Sequence, residues 1–485
     1  MAQAASTAVL PAEIAARLQK LLDAQRGAFL SEAGVPAELR IDRLARAQKL
    51  LVDHEHEIVS AIATDFGQRP ATLTRFTDIL PAVRALQHAR KHVRRWMHPQ
   101  RSVPELPLLL SGVRTQIRYQ PLGVVGLISP WNFPVNLTFC PLAGVLAAGN
   151  HCLIKPSEFT PATSRLMEQL IAEAFDVREV SVVTGDAQVA EQFSRLPFDH
   201  LLFTGSTAVG RQVMAAAAAH LVPVTLELGG KCPTVVGRTA DLPLCVDRIL
   251  LGKLANAGQM CLAPDHVYVP RGSIEAFIQE AQRWVARVYP GLPQNADYTS
   301  LVSERHASRL ADLLADATAK GGRVIELGAA PDAHSTHRRL MNPALIVIAN
   351  DDVRVMQEEI FGPLLPLRAY DRLEDVINDI NRRPRPLALY YFGKDREEER
   401  ELLARTTSGG VTINDVAMHV IVEDLPFGGV GASGMGAYHG EHGFRRFSHA
   451  RAVYRQPLLD VAGLLGLRPP YGARIERILR LLIRR

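Results

Sequence analysis

Residues 124–155 begin Val124-Val125-Gly126-Leu127-Ile128-Ser129 and pass through Pro130-Trp131-Asn132-Phe133-Pro134. They then run from Pro141-Leu142-Ala143-Gly144-Val145-Leu146-Ala147-Ala148-Gly149-Asn150 into His151-Cys152-Leu153-Ile154-Lys155. Val124 to Ser129 is rich in β-branched apolar residues, as in a strand buried on both faces. Pro141 to Ala148 is a helix of small apolar residues that Gly149-Asn150 stops. His151 to Lys155 is a second strand. The wider run Tyr119 to Ile154 lacks Asp, Glu, Lys and Arg and is long enough to span a bilayer. Two prolines break it in the middle, and Asn136 and Asn150 add polar cost. A buried strand, a loop and a buried helix account for it better.

Toward the C-terminus the alternation continues. Pro161 to Ala174 reads as a helix, Glu179 to Thr184 as a strand, His200 to Thr204 as a strand and Thr207 to Ala219 as a helix. Strands alternating with helices imply a parallel, doubly wound α/β sheet. A second α/β series starts with a helix at Leu242 to Asn256, a strand at His266 to Val269 and a helix at Ser273 to Val288, and extends to Arg405. The boundary between the series falls near Gly229-Gly230. Gly409 to Gly440 is dense in glycine, as in close-packed loops around a site. Toward the N-terminus, Thr115 to Tyr119 alternates like an exposed strand, and Pro11 to Trp96 has helical periodicity.

The chain has 485 residues, which implies two or three domains. Apolar residues make up 47% and charged residues 22%, an ordinary globular balance. The net charge is +5 and the pI about 9.0, too weak an excess on this length to imply nucleic acid. Cys140, Cys152, Cys232, Cys245 and Cys261 are odd in number with no CxxC pair. Neither a disulfide framework nor a metal site is expected, and reduced thiols fit the cytoplasm. The N-terminal segment has no long apolar region and does not read as a signal peptide.

Five short segments carry candidate chemistry. Cys261, in Gly258-Gln259-Met260-Cys261, follows a helix and a glycine; a thiolate there can attack a carbonyl and leave as a thioester. Taken alone, a single Cys is more often a small buried hydrophobe. Glu227 lies in the apolar strand Thr225-Leu226-Glu227-Leu228, before two glycines. It can take protons at a cleft, or it is an edge-strand residue facing water. The Asn132 amide can donate to an oxyanion together with the Cys261 N–H, or it makes an Asx-turn. Phe203-Thr204-Gly205-Ser206-Thr207 is a strand running into a helix N-terminus, suited to a pyrophosphate or simply a capped helix. Lys155 and Glu158 can hold ribose hydroxyls or form a solvated loop pair.

Together, and in their order along the chain, the segments resemble the aldehyde dehydrogenase superfamily from about Ala12 to Pro457. The class 3-like branch is the nearest, on Asn136-Leu137-Thr138, Asn414-Asp415-Val416 and Pro426-Phe427-Gly428-Gly429-Val430-Gly431 through His439-Gly440. Within it, the chain looks most like bacterial coniferyl aldehyde dehydrogenases. The resemblance implies an α/β fold with a Rossmann-like cofactor domain (1–101 and 122–229), an α/β catalytic domain (230–446), a small β oligomerisation arm (102–121 and 447–460) and a tail (461–485). It implies Cys261 as nucleophile, Glu227 as general base, and Asn132 with the Cys261 amide as oxyanion hole. It places Lys155 and Glu158 on the adenosine ribose, Gly205 and Ser206 at the pyrophosphate, and Glu359 and Phe361 on the nicotinamide ribose and ring. The cofactor is then NAD, with NADP possible, the substrate an aldehyde, and the assembly a homodimer. Two departures stand out. Phe133 replaces a Tyr common in class 3 relatives and bears on substrate preference. Cys232 replaces a common Ser and is expected to alter packing only.

Two other readings stay open: a CoA-acylating or phosphorylating semialdehyde dehydrogenase, and a non-catalytic protein on the same fold. Retained Glu227 favours water as acyl acceptor. Beyond the resemblance, Tyr471 to Arg485 forms an amphipathic basic helix. Ile475, Ile478, Leu479, Leu482 and Ile483 fall on one face, and Arg474, Arg477, Arg480, Arg484 and Arg485 make it cationic. It docks on the protein's own surface, or it lies on an anionic membrane.

Overall fold

The structure is a computed structural model that describes residues 11–32, 34–105, 108–109, 112–328, 339–348, 350–457, 463 and 468–484. In chain order its strands are β1 (Gln100–Ser102), β2 (Arg114–Pro121), β3 (Val124–Ile128), β4 (His151–Lys155), β5 (Val180–Val182), β6 (His200–Gly205), β7 (Val224–Leu228), β8 (Pro233–Val236), β9 (His266–Pro270), β10 (Arg323–Glu326), β11 (Ala344–Val347), β12 (Leu364–Tyr370), β13 (Ala388–Phe392), β14 (Gly410–Ile413), β15 (Gly434–Met435) and β16 (Ser448–Arg455).

They form three sheets. The first has the order β15-β7-β6-β3-β4-β5, parallel except for β15. From β3 the chain moves to β4 on one side and later to β6 on the other. The carboxyl ends of β3 and β6 therefore flank the point where the winding reverses, the place where such sheets leave a ligand crevice. The second sheet has the order β10-β11-β12-β9-β8-β13-β14, parallel except for β10. The third is the antiparallel ribbon β1-β2-β16.

The apolar run read from the sequence forms the centre. Every residue of β3 and β4 is buried, as parallel strands covered on both faces require. The helix between them is Asn136–Ala148, so it starts five residues before the expected Pro141. Pro141 sits inside it and removes one intrahelical hydrogen bond, a disruption of about 3 kcal/mol. Every residue after Asn136 is buried, and at about 1.5–3 kcal/mol for each large apolar side chain that outweighs the proline.

Three placements differ from the expected divisions. β15 pairs with Leu226 and Glu227, so the 230–446 segment returns to the first sheet. β1 adds Gln100 and Arg101 to the arm ribbon. The tail helix Ala473–Ile483 is largely open: Ile475 is buried, while Leu479, Leu481, Leu482 and Ile483 are 46% to 80% exposed. Its docking on the chain's own surface rests on Ile475 and a half-buried Ile478. No helix among the described residues is long and apolar enough to cross a membrane.

Candidate active site

Cys261 stands on a tight loop built by the residues before it. The helix Leu242–Leu254 ends in a turn where Asn256, Ala257 and Gly258 all have positive φ. Only the last is glycine, and a Cβ there would strike the Gly362 carbonyl oxygen. Left-handed conformations at non-glycine residues store strain and persist only where contacts over-determine them. Here Asn256 Nδ2 donates to the Asn132 and Gln259 carbonyls (3.2 Å each). Gln259 Nε2 donates to the Asn256 and Ser300 carbonyls (3.0 and 3.1 Å), and its Oε1 accepts from the Val302 N–H (2.9 Å). The sequence pointed to none of these supports except Asn132.

Asn132 is buried, and its Nδ2 donates to the Gln259 carbonyl at 3.2 Å. A side-chain amide has two N–H donors, so one remains for a reacting oxygen. The loop is anchored from below by the ion pair of Arg69 and Asp78 (2.5 Å), whose side chains have no exposure. Arg69 donates to the Asn132 carbonyl (2.8 Å), and Asp78 accepts from the N–H groups of Val135 and Asn136 (3.2 and 3.4 Å). Asp78 lies in the single π-helical turn Arg75–Ile79, which aims it inward. Removing either partner would leave a buried charge, at about 3–5 kcal/mol. Phe133 packs against the Arg69 guanidinium (5.1 Å) and is absent from the cavity wall, so its departure from Tyr does not alter that wall directly.

Glu227 does not face water, although β7 would otherwise be an edge strand. Gly434 covers it on one side and Thr204 of β6 lies on the other. Both carboxyl oxygens are buried and lack a hydrogen-bond partner, as does Thr204 Oγ1. Burial drives the Glu227 carboxyl well above its ordinary range, against a weak opposing pull from Arg446. Burial also raises the Cys261 thiol to about 12, helped by Glu359 and then Glu227 and opposed by the Cys261 and Leu262 N–H groups. Burial thus favours the uncharged form of both groups. Cys232 does more than pack: its Sγ donates to the Cys261 carbonyl at 3.3 Å.

One cavity of about 490 Å³ brings together Asn132, Gly205, Ser206, Glu227, Cys261, Glu359 and Phe361, with Trp131, His306 and Arg309 in its wall. Its size suits a small-molecule site. Ser206 does cap the helix Thr207–Ala218, accepting from the Val209 N–H, and the start of that helix opens into the cavity. A helix N-terminus presents further N–H groups to an anion, so cap and phosphate site are compatible. Lys155 and Glu158 are not in that wall. Lys155, 1% exposed, ends β4 and pairs with Glu158 at 3.4 Å, while Glu158 is 37% exposed. They lie at the carboxyl ends of the same sheet, where a long ligand would extend from the cavity. The unpartnered Thr204 hydroxyl, the helix N-terminus and the small Gly205-Ser206 pair fit a dinucleotide. Gly229 fits as well, since a Cβ there would collide with the Glu359 carboxylate. No group of three or more metal-ligating side chains is found among the described residues.

Residues 2–453 match the sequence model of the aldehyde dehydrogenase family. The chain is 50% identical to a probable coniferyl aldehyde dehydrogenase of Caulobacter vibrioides, over 95% of this chain and 96% of that protein. It is 48% identical to a coniferyl aldehyde dehydrogenase of Pseudomonas sp., over 97% of each. Its structure matches the substrate-bound state of Staphylococcus aureus AldH with a TM-score of 0.89 at 34% identity, covering 96% of this chain and 99% of that one.

Proposed function

The chain belongs to the aldehyde dehydrogenase family and oxidises aldehydes with NAD or NADP; from that premise we propose that Cys261, Glu227 and Asn132 carry the reaction and that its product is the free acid. The observation that supports this most is the single cavity lined by all three. The Cys261 thiol gives up its proton, which passes to solvent, and its sulfur adds to the aldehyde carbon. The Asn132 amide and the Cys261 N–H stabilise the oxyanion. When bound, the nicotinamide supplies the two-electron acceptor that leaves a thioester on Cys261. Glu227 then takes a proton from the water that attacks the thioester, which releases the acid and restores the thiol. Gly205, Ser206 and the helix behind them would hold the pyrophosphate, Lys155 and Glu158 the adenosine ribose, and Glu359 and Phe361 the nicotinamide ribose and ring.

For the substrate we propose a cinnamyl-type aromatic aldehyde such as coniferyl aldehyde. The relatives and the aromatic wall of Trp131, Phe361 and His306, whose ring centroids lie 5.0–5.3 Å from that of Trp131, support it. The test is a panel of aliphatic, benzylic and cinnamyl aldehydes ranked by kcat/KM, with and without CoA or phosphate. The expected result is acid and reduced cofactor without either acceptor, and the cinnamyl class in first place. A requirement for CoA or phosphate would overturn water as acceptor, and a preference for aliphatic aldehydes would overturn the substrate class.

Glu158 sets the cofactor preference. A carboxylate beside the adenosine ribose repels a 2′-phosphate, so NAD is preferred. Glu158→Gln is expected to move the NADP-to-NAD ratio of kcat/KM up by about tenfold, the effect of relieving ~1.4 kcal/mol of repulsion. An unchanged ratio removes Glu158 from the ribose site.

We further assign residues 1–101 and 122–229 to cofactor binding and 230–446 to catalysis, with β15 lent back to the first sheet. The ribbon β1-β2-β16 serves as a dimerisation arm, and five unpaired cysteines support a cytoplasmic site. The tail helix acts outside the chemistry. Ending the chain at Pro470 is expected to lower thermal stability or change KM for bulky aldehydes. If instead the full chain sediments with anionic vesicles at low salt and the shortened one does not, the helix belongs to a membrane surface.

A further inference from the structure

One buried ion pair ties together the three segments that carry the proposed chemistry. Lys231 follows the Gly229-Gly230 turn at the end of β7, the strand of Glu227. Its Nζ pairs with Asp265 and donates to the carbonyls of Val355 (2.7 Å) and Glu358 (3.0 Å). Asp265 lies just beyond Cys261. Its N–H donates to the Cys232 carbonyl (2.9 Å), and its second carboxylate oxygen accepts from the Ile360 N–H (2.9 Å). The two side chains are only 11% and 4% exposed.

The pair therefore grips the backbone on both sides of Glu359. Lys231 holds the carbonyl before it, and Asp265 holds the N–H after it. Arg309 holds the same segment from the cavity side through the carbonyls of Glu359 (3.2 Å) and Ile360. Such clamping answers a local need. Phe361 has φ +51°, a strained value for an aromatic residue, and it persists only under outside constraint. Hydrogen bonds to charged groups are about twice as strong as neutral ones, and fixed geometry is what they add. Burial, then Asp265, raises the Glu359 carboxyl to about 8, while the Gly230 N–H, Lys231 and Arg309 pull the other way. The pair thus also bears on the charge that Glu359 carries.

We infer that Lys231 and Asp265 are positioning residues that fix Glu359 in the cavity and thereby set the affinity for the nicotinamide cofactor. The inference rests on the assignment of Glu359 to the nicotinamide ribose.

The test is titration of NADH binding by fluorescence on four proteins: the natural chain, Glu359→Gln, Lys231→Met and the double variant. Glu359→Gln and Lys231→Met are each expected to weaken NADH by about tenfold or more, the scale of one charge-assisted hydrogen bond. The double variant should bind NADH within about twofold of Glu359→Gln, because Lys231 then has nothing left to position. Saturating NAD should restore most of kcat to Lys231→Met, so the loss appears in KM for the cofactor. Losses that multiply in the double variant overturn the inference, because Lys231 then acts independently of Glu359. If Glu359→Gln alone leaves NADH affinity unchanged, the ribose assignment fails and the inference fails with it. Should Lys231→Met not fold, Asp265→Leu replaces it with the same expectations, since the Ile360 N–H then loses its acceptor while Lys231 keeps the Val355 and Glu358 carbonyls.

Discussion

Cys261→Ala is expected to lower aldehyde oxidation by about 10⁴-fold or more, because removing a covalent nucleophile leaves only binding and electrostatic stabilisation. No other thiol can substitute. Cys140, Cys152, Cys232 and Cys245 are buried, and none lines the cavity. The variant should still bind NADH, since the clamp around Glu359 does not use the Cys261 side chain. Steady-state rates with a cinnamyl aldehyde check this, and oxidation beyond a trace would place the covalent role elsewhere.

Glu227→Gln is expected to separate the two halves of the reaction. The first turnover should still release reduced cofactor as a burst, whereas later turnovers slow by about 10²–10⁴-fold, the usual contribution of a general base. Rapid-mixing kinetics read both phases; loss of the burst with the same factor as the steady state would assign Glu227 to thiol activation instead. The same variant should gain stability at high pH. A carboxyl whose folded pKa is raised contributes stability that is complete below its ordinary value near 4.5 and is lost as pH rises through the folded value. Glutamine copies the neutral form. Its Tm should therefore exceed that of the natural chain at about pH 8, and the gap should close at about pH 5.

Much of this architecture is legible in the sequence, and the residues explain where legibility stops. The strands β3, β4 and β6 announce themselves because strands covered on both faces read as continuous apolar runs. The helix start at Asn136 was hidden by Pro141, whose cost is met by burial that no local pattern reveals. Glu227 could be recognised as a motif residue but not as buried: its cover is Gly434, remote in sequence. The same holds for the supports of the Cys261 loop. Asn256 and Gln259 look like ordinary polar residues, and Arg69 and Asp78 like surface charges on an N-terminal helix. Their roles come from contacts that only the folded chain creates. In the sequence Cys232 looks like a packing change alone, but in the fold it touches the Cys261 carbonyl.

The most direct measurement is mass spectrometry of Glu227→Gln after incubation with NAD and a cinnamyl aldehyde. The account predicts that the peptide containing Cys261 carries the corresponding acyl group in near-stoichiometric amount, and that the adduct disappears in Cys261→Ala. Reduced cofactor formed with no adduct on Cys261, or an adduct on another residue, would contradict it.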